Sequence, residues 1–251
     1  MSKVIIVAGA GGQIGQHIVN RLVLEGNRII FTDISDGPYK KYIERNGENN
    51  NLVFKQMDVC LEEEIIKTLN EAENIYGKVD AFINASYPRG RNYGLKLDDV
   101  SFEDFVENCS SHLGGNFLTM KKFGEYFKFN GGGKLILFSS IYGVIAPRFE
   151  IYKDTDMTMP VEYSAIKSGL IHLVRYFAKY YAKTNVTFNC VSPGGINSNQ
   201  PLSFKDNYSK LCPKGDLLDA SNLTGLVSFL ISDEANSING ENIVIDGGFS
   251  L

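Results

Sequence analysis

Residues 3–33 limit the possible fold more tightly than any other stretch of the chain. Lys3-Val-Ile-Ile-Val-Ala8 is a short apolar run rich in β-branched residues, bounded by glycine, and reads as a buried strand. Gly9-Ala-Gly-Gly-Gln-Ile-Gly15 follows. Ile14, Ile18, Val19, Leu22 and Val23 then fall at helical spacing, and Gly26 stops the helix. A second strand, Arg28-Ile-Ile-Phe-Thr-Asp33, ends in a carboxylate. Strand, glycine turn, helix, strand and acid in this order form a dinucleotide-binding βαβ unit.

The order has a physical basis. Glycines allow a sharp turn and let backbone N–H groups approach a pyrophosphate, while the helix N-terminus adds partial positive charge. Asp33 can accept both hydroxyls of an adenosine ribose and would repel a 2′-phosphate. No Arg or Lys follows it until Lys40, so the residues favour NAD over NADP.

With 251 residues and no Pro/Ser linker, repeat or charge block, the chain is expected to form one domain over 1–251. Hydrophobic content of 43% and charged content of 22% are ordinary globular values. A net charge of −4 gives no electrostatic case for nucleic acid or anionic membrane as a partner. Cys60, Cys109, Cys190 and Cys212 are scattered without metal-type spacing, so no metal is expected. No apolar run reaches the roughly 18 residues of a membrane span, and Met1-Ser-Lys3 leaves no room for a signal peptide. A soluble cytoplasmic protein is expected.

Further strands are expected at 52–57, 79–84, 134–138, 186–191 and 242–246, with helices around 39–45, 62–76, 102–129, 161–182 and 217–231. A kink is expected at Gly114-Gly115, and a loop over 197–214 that has room for a short helix. The alternation argues for an α/β fold, a Rossmann-type doubly wound parallel sheet of seven strands with helices on both faces. Ligands in such sheets bind beyond the carboxyl ends of the strands.

Three groups gather at that end. Ser139-Ser140 closes the fifth strand, and Pro193-Gly194 the sixth. Tyr163 and Lys167 share one helical face, four residues apart. An ammonium beside a phenol favours the phenolate and would draw the Tyr pKa down from about 10. Such a Tyr can exchange a proton with an alcohol or carbonyl oxygen that a serine hydroxyl holds in place.

With these residues in order, the chain resembles the short-chain dehydrogenases/reductases along nearly its whole length. The shared elements are the glycine turn, Asp33, Asp58-Val59, Asn84-Ala85, Ser140, Tyr163-x-x-x-Lys167, Pro193-Gly194 and the tail Asn239-Gly-Glu-Asn-Ile-Val-Ile-Asp-Gly-Gly248. The resemblance implies that Tyr163 is the acid/base, that Ser140 orients the substrate oxygen, and that Lys167 lowers the Tyr pKa and binds the nicotinamide ribose. It implies NAD as cofactor. Gly9, Gly11, Gly12, Gln13, Ile14 and Gly15 would form the pyrophosphate turn, with Asp33 and Ile34 at the ribose and Asp58 and Val59 beside the adenine. Asn84, Ala85 and Ser86 would line the central pocket, and Pro193, Gly194 and Ile196 the nicotinamide end. A homodimer or homotetramer built on the helices at 102–129 and 161–182 is also implied.

Three features depart from the family pattern. Ala8 stands where Thr is usual, and Gln13 where the second motif glycine is usual. His112 occupies the position of a relay Asn; a histidine can bridge a water or relay a proton itself, and Asn116 offers the same service one turn on. Tyr163 follows Ser140 by 23 residues, a wider gap than in compact members, so residues 148–159 form an insertion on the substrate side with Phe149 and Tyr152 available as lid or wall.

Arg89, Arg91, Lys96, Arg148 and Lys153 fall in loops beside the expected site. Such cations suit a phosphorylated or nucleotide-linked sugar, or they are solvated loop charges. The insertion and the tail resemble the flagellin-modification, surface-sugar subgroup, which implies an aminosugar-type substrate and a place in carbohydrate biosynthesis. The expected activity is hydride transfer between the nicotinamide and a secondary alcohol or ketone. An NAD-retaining epimerase or dehydratase, and a non-catalytic nucleotide sensor, stay open as alternatives.

Overall fold

The computed structural model describes residues 2–251. Its strands are β1 (Val4–Ala8), β2 (Arg28–Asp33), β3 (Leu52–Gln56), β4 (Ala81–Asn84), β5 (Gly133–Phe138), β6 (Val186–Pro193) and β7 (Asn242–Ile245). They form a single parallel sheet in the order β3-β2-β1-β4-β5-β6-β7, so the chain crosses the middle of the sheet between β3 and β4.

Alternation along the strands builds two apolar layers. In β1, Val4, Ile6 and Ala8 face one way, onto α3 (Glu62–Tyr76), α5 (Gly114–Phe129) and α6 (Val161–Tyr180). Ile5 and Val7 face the other, onto α1 (Gln13–Leu24), α2 (Gly37–Asn46) and α8 (Thr224–Ile231). Phe82 stacks on Phe123 with ring centroids 3.7 Å apart, fixing α5 to the sheet centre. A third cluster, holding Ile151, Tyr152, Phe204, Tyr208 and Phe249, lies away from the sheet and joins the insertion to α7 (Leu202–Leu211) and the tail.

The structure differs from the sequence-based expectation in two places. The helix expected over 102–129 is divided into α4 (Phe102–Asn108), a π turn at Cys109–Leu113, and α5. The irregularity thus precedes the glycines at which a kink was expected. Ser101 caps α4 by accepting from the Asp104 N–H, with Asp104 answering the Ser101 N–H. The last helix begins at Thr224, because Asp219 caps a 3-10 turn at Ala220–Leu223 that takes up the preceding residues. Residues 148–159 are ordered by a 3-10 turn, Phe149–Tyr152, whose Ile151 and Tyr152 are buried.

Candidate active site

The groups singled out from the sequence lie along the carboxyl ends of the strands, around the crevice where the strand order reverses. Gly9 has φ +66°, and a Cβ there would lie 2.6 Å from Ser86 N and Cα, so only glycine lets the turn close on the segment after β4. Gly15 meets the Gly9 carbonyl in the same way. Gly12 begins α1 without a side-chain cap, and no acid occupies the first turn. Those N–H donors therefore fit an anion. Asp33 accepts from the Gly11 N–H at 3.1 Å and, through its other oxygen, from the Ile34 N–H at 2.9 Å. Its carboxylate is thereby set against the glycine turn, while the Ile34 side chain is exposed.

Asp58 accepts from the Cys60 N–H at 2.8 Å, and Val59 is buried against Gly115. Asn84 lies beneath the crevice: it donates to Asn116 Oδ1 at 3.0 Å and accepts from Ser86 N and Oγ. Ala85 and Ser86, but not Asn84, reach the main cavity.

That cavity, about 610 Å³, has Gly12, Gln13 and Ile14 on one wall and Pro193, Gly194 and Ile196 on the other, with Ser140, Tyr163 and Lys167 between them. Gln13 donates to Asn197 O at 2.5 Å, joining the two walls at the rim. Its side chain thus makes a contact that the usual glycine could not.

Ser140 lies two residues past β5, where it caps the turn at Ile141–Gly143 and its hydroxyl accepts from the Tyr142 N–H at 3.2 Å. The following turn packs on α6 so tightly that a Cβ on Gly143 would stand 2.7 Å from Lys167 C. Ser139 donates to Lys167 O at 2.7 Å. These two contacts fix the serine loop relative to the Tyr–Lys helix.

Lys167 is buried, donates from Nζ to Phe138 O at 2.9 Å, and sits 3.3 Å from His112 Nε2. Burial lowers its pKa to about 8. Burial also drives His112 down to about 2, helped by the charges of Lys167 and Arg89. The imidazole is neutral, so Nε2 is the acceptor for Lys167 and the ring proton belongs on Nδ1. His112 therefore lies behind the lysine and off the cavity wall, and Asn116 donates to its carbonyl at 2.8 Å.

One electrostatic expectation is corrected. The Tyr163 pKa is raised, because desolvation outweighs the opposing hydrogen bond from the Ser140 hydroxyl. Lys167 Nζ stands 5.5 Å from the Tyr163 ring centroid, over the ring face, and is not among the causes of the shift.

Of the five loop cations, only Arg89 lines the cavity. Arg148 is turned to the tail, donating to Leu251 O at 3.2 Å with its guanidinium over the Phe249 ring. Arg91, Lys96 and Lys153 are exposed elsewhere. Residues that sequence reasoning had not assigned to the site complete the substrate half: Tyr87, Tyr93, Tyr142, Met157, Met159, Phe204 and Tyr208. Tyr208 accepts from the Gly195 N–H at 2.9 Å, which ties α7 to the loop after β6. No local motif marks these positions.

Residues 9–250 match the model of a family described as Enoyl-(Acyl carrier protein) reductase. A solved short chain dehydrogenase from Leptospira borgpetersenii, with bound NAD+, superposes with a TM-score of 0.84 at 31% identity, covering 100% of this chain and 94% of that one. The chain is a short-chain dehydrogenase/reductase. As such it is an oxidoreductase that uses a nicotinamide cofactor. Post-translational flagellin modification protein A of Campylobacter coli is 35% identical over 254 residues, spanning 100% of this chain and 99% of that protein. The NAD-dependent glycerol dehydrogenase of Listeria innocua is 27% identical, spanning 99% and 94%. A gluconate 5-dehydrogenase from Burkholderia cenocepacia, solved with NADP and tartrate, shares the fold at a TM-score of 0.86 and 20% identity, covering 100% of this chain and 96% of that one.

Proposed function

We propose that this short-chain dehydrogenase/reductase interconverts a secondary alcohol and a ketone on a sugar-like substrate, with NAD as coenzyme. The reading rests on one observation: Ser140, Tyr163 and Lys167 converge on a cavity that also reaches the uncapped N-terminus of α1 and the Pro193–Ile196 segment. Bound NAD would supply the hydride acceptor, or NADH the donor. The α1 turn would hold its pyrophosphate, Asp33 its adenosine ribose, and the segment after β6 its nicotinamide end.

The protein's own groups then act on the substrate oxygen. Ser140 Oγ donates a hydrogen bond to that oxygen and fixes its position. Tyr163 Oη gives it a proton in reduction and removes one in oxidation. Burial holds Tyr163 protonated at rest, the form needed for reduction. In oxidation the Ser140 hydroxyl, whose hydrogen bond opposes the burial cost at Tyr163, supports the phenolate, while His112 holds Lys167 Nζ from behind as a neutral acceptor.

The flagellin modification protein supports a place for this chain in protein modification, the setting of the sugar-like substrate proposed. The four free cysteines suit a reducing cytoplasm. Exposed Phe102, Val106 and Phe117, with Tyr176 and Tyr180 on α6, suit a second copy of the chain as partner; light scattering tests that. One contact, from Gln13 to Asn197, favours the coenzyme-retaining alternative, because it joins the two walls of the coenzyme cleft. The test is turnover of sugar alcohols with NAD. NADH formation abolished by Tyr163→Phe supports dehydrogenation, conversion without net NADH marks the retaining enzyme, and unchanged turnover in Tyr163→Phe rejects the mechanism.

A further inference from the structure

We infer that the substrate carries a single anionic group, a carboxylate or a phosphomonoester, held by Arg89 while its sugar-like body lies between Tyr87 and Tyr152. The inference rests on the sugar-alcohol reading above and narrows it.

Arg89 and Lys167 are the only cations on the wall of the cavity among the described residues, and no Asp or Glu lines it. Lys167 is committed at depth to Phe138 O and His112. Arg89 alone faces incoming substrate. Its guanidinium lies 4.8 Å from the Tyr87 ring centroid and 5.8 Å from that of Tyr93, and no carboxylate pairs with it among the described residues. A guanidinium held over a ring face as a cation–π partner still has N–H groups to offer two oxygens of one anion.

Distance and polarity agree with this. The Tyr87 ring that carries Arg89 stands 5.9 Å from the Tyr163 ring, so anchor and reacting phenol are separated by one side chain. Aromatic faces suit the C–H face of a sugar. Tyr142 also lines this space, with its hydroxyl buried beside Tyr152. A nucleotide diphosphate would bring a second charged phosphate into this half, where no second free cation stands among the described residues, since Arg148 is held by Leu251 O and the Phe249 ring.

The test uses the full-length protein loaded with NADH and titrated with glucose, glucuronate, the 1- and 6-phosphates of glucose, and UDP-glucose as probes. Expected is that at least one singly anionic probe binds about 10–100-fold more tightly than glucose, the contribution of a charge-assisted hydrogen-bond pair. Arg89→Ala should remove that advantage, Arg89→Lys should keep part of it, and Arg91→Ala should leave it intact. UDP-glucose should bind no better than the monoesters. With NADH bound, equal binding of neutral and anionic probes, no binding by any anionic probe, or retention of the preference in Arg89→Ala overturns the inference. Failure of NADH itself to bind the wild-type protein strikes the coenzyme reading instead.

Discussion

The two halves of the cleft are built from different materials. The coenzyme half is made of backbone: a glycine turn, an uncapped helix end and the ends of parallel strands. The substrate half is made of side chains from three loops and α7, eight of them Tyr, Phe or Met. Backbone surfaces are set by sheet geometry and vary little with sequence. Side-chain surfaces depend on which loops pack together, so they can carry a specificity of their own.

Exchanges that separate the halves test this contrast. Tyr163→Phe should give the largest effect, a kcat lower by about 10²–10⁴-fold, with NADH affinity by fluorescence titration unchanged. Gly9→Val comes next. A branched side chain at φ +66° and 2.6 Å from Ser86 should cost roughly 1–3 kcal/mol from backbone strain alone, lowering Tm and NADH affinity together. Asp33→Asn should weaken NAD binding by about 10-fold through loss of charge-assisted hydrogen bonds, narrow the gap to NADP, and spare substrate KM. A matching rise in substrate KM would show that the two halves are not separable.

The smaller effects concern pH. With Lys167 at about 8, its charged form dominates below that value and is lost above it, so NADH affinity, if the ammonium holds the nicotinamide ribose, should decline once pH passes about 8. His112 has a folded pKa near 2 against an ordinary 6.5. Between those values the unfolded chain binds the extra proton, so stability falls as pH drops below 6.5, by at most about 1.4 kcal/mol per unit. His112→Asn should flatten that acid limb in a Tm-versus-pH series; an unchanged slope would place the sensitivity elsewhere.

The coenzyme half was legible in the sequence because its parts are local. Gly9 to Gly15 and Asp33 declare a turn and a strand end within one βαβ unit, and Ser140, Tyr163 and Lys167 stand at ends of elements that periodicity reveals. The substrate half was not. Tyr87, Tyr142 and Phe204 lie on separate segments, and nothing in spacing says that their rings meet at one cavity. The five loop cations looked alike in sequence, yet Arg148 is diverted to the tail and only Arg89 reaches the wall. The Tyr163 pKa was misjudged for a related reason. Helical spacing brings Lys167 near, but desolvation depends on everything packed around the phenol.

The π turn at Cys109–Leu113 makes chain length, rather than residue identity, the critical variable in this segment. It takes up one residue more than an α-helical path would, so the faces of α4 and α5 are out of phase by about 100°. Deleting Ser110 or Ser111 would let the helix run straight through and change the phase of α4 against His112 and Asn116, which face Lys167 and Asn84. Point substitutions could at most weaken that wiring, whereas a one-codon deletion would disconnect it while leaving every named side chain in the chain.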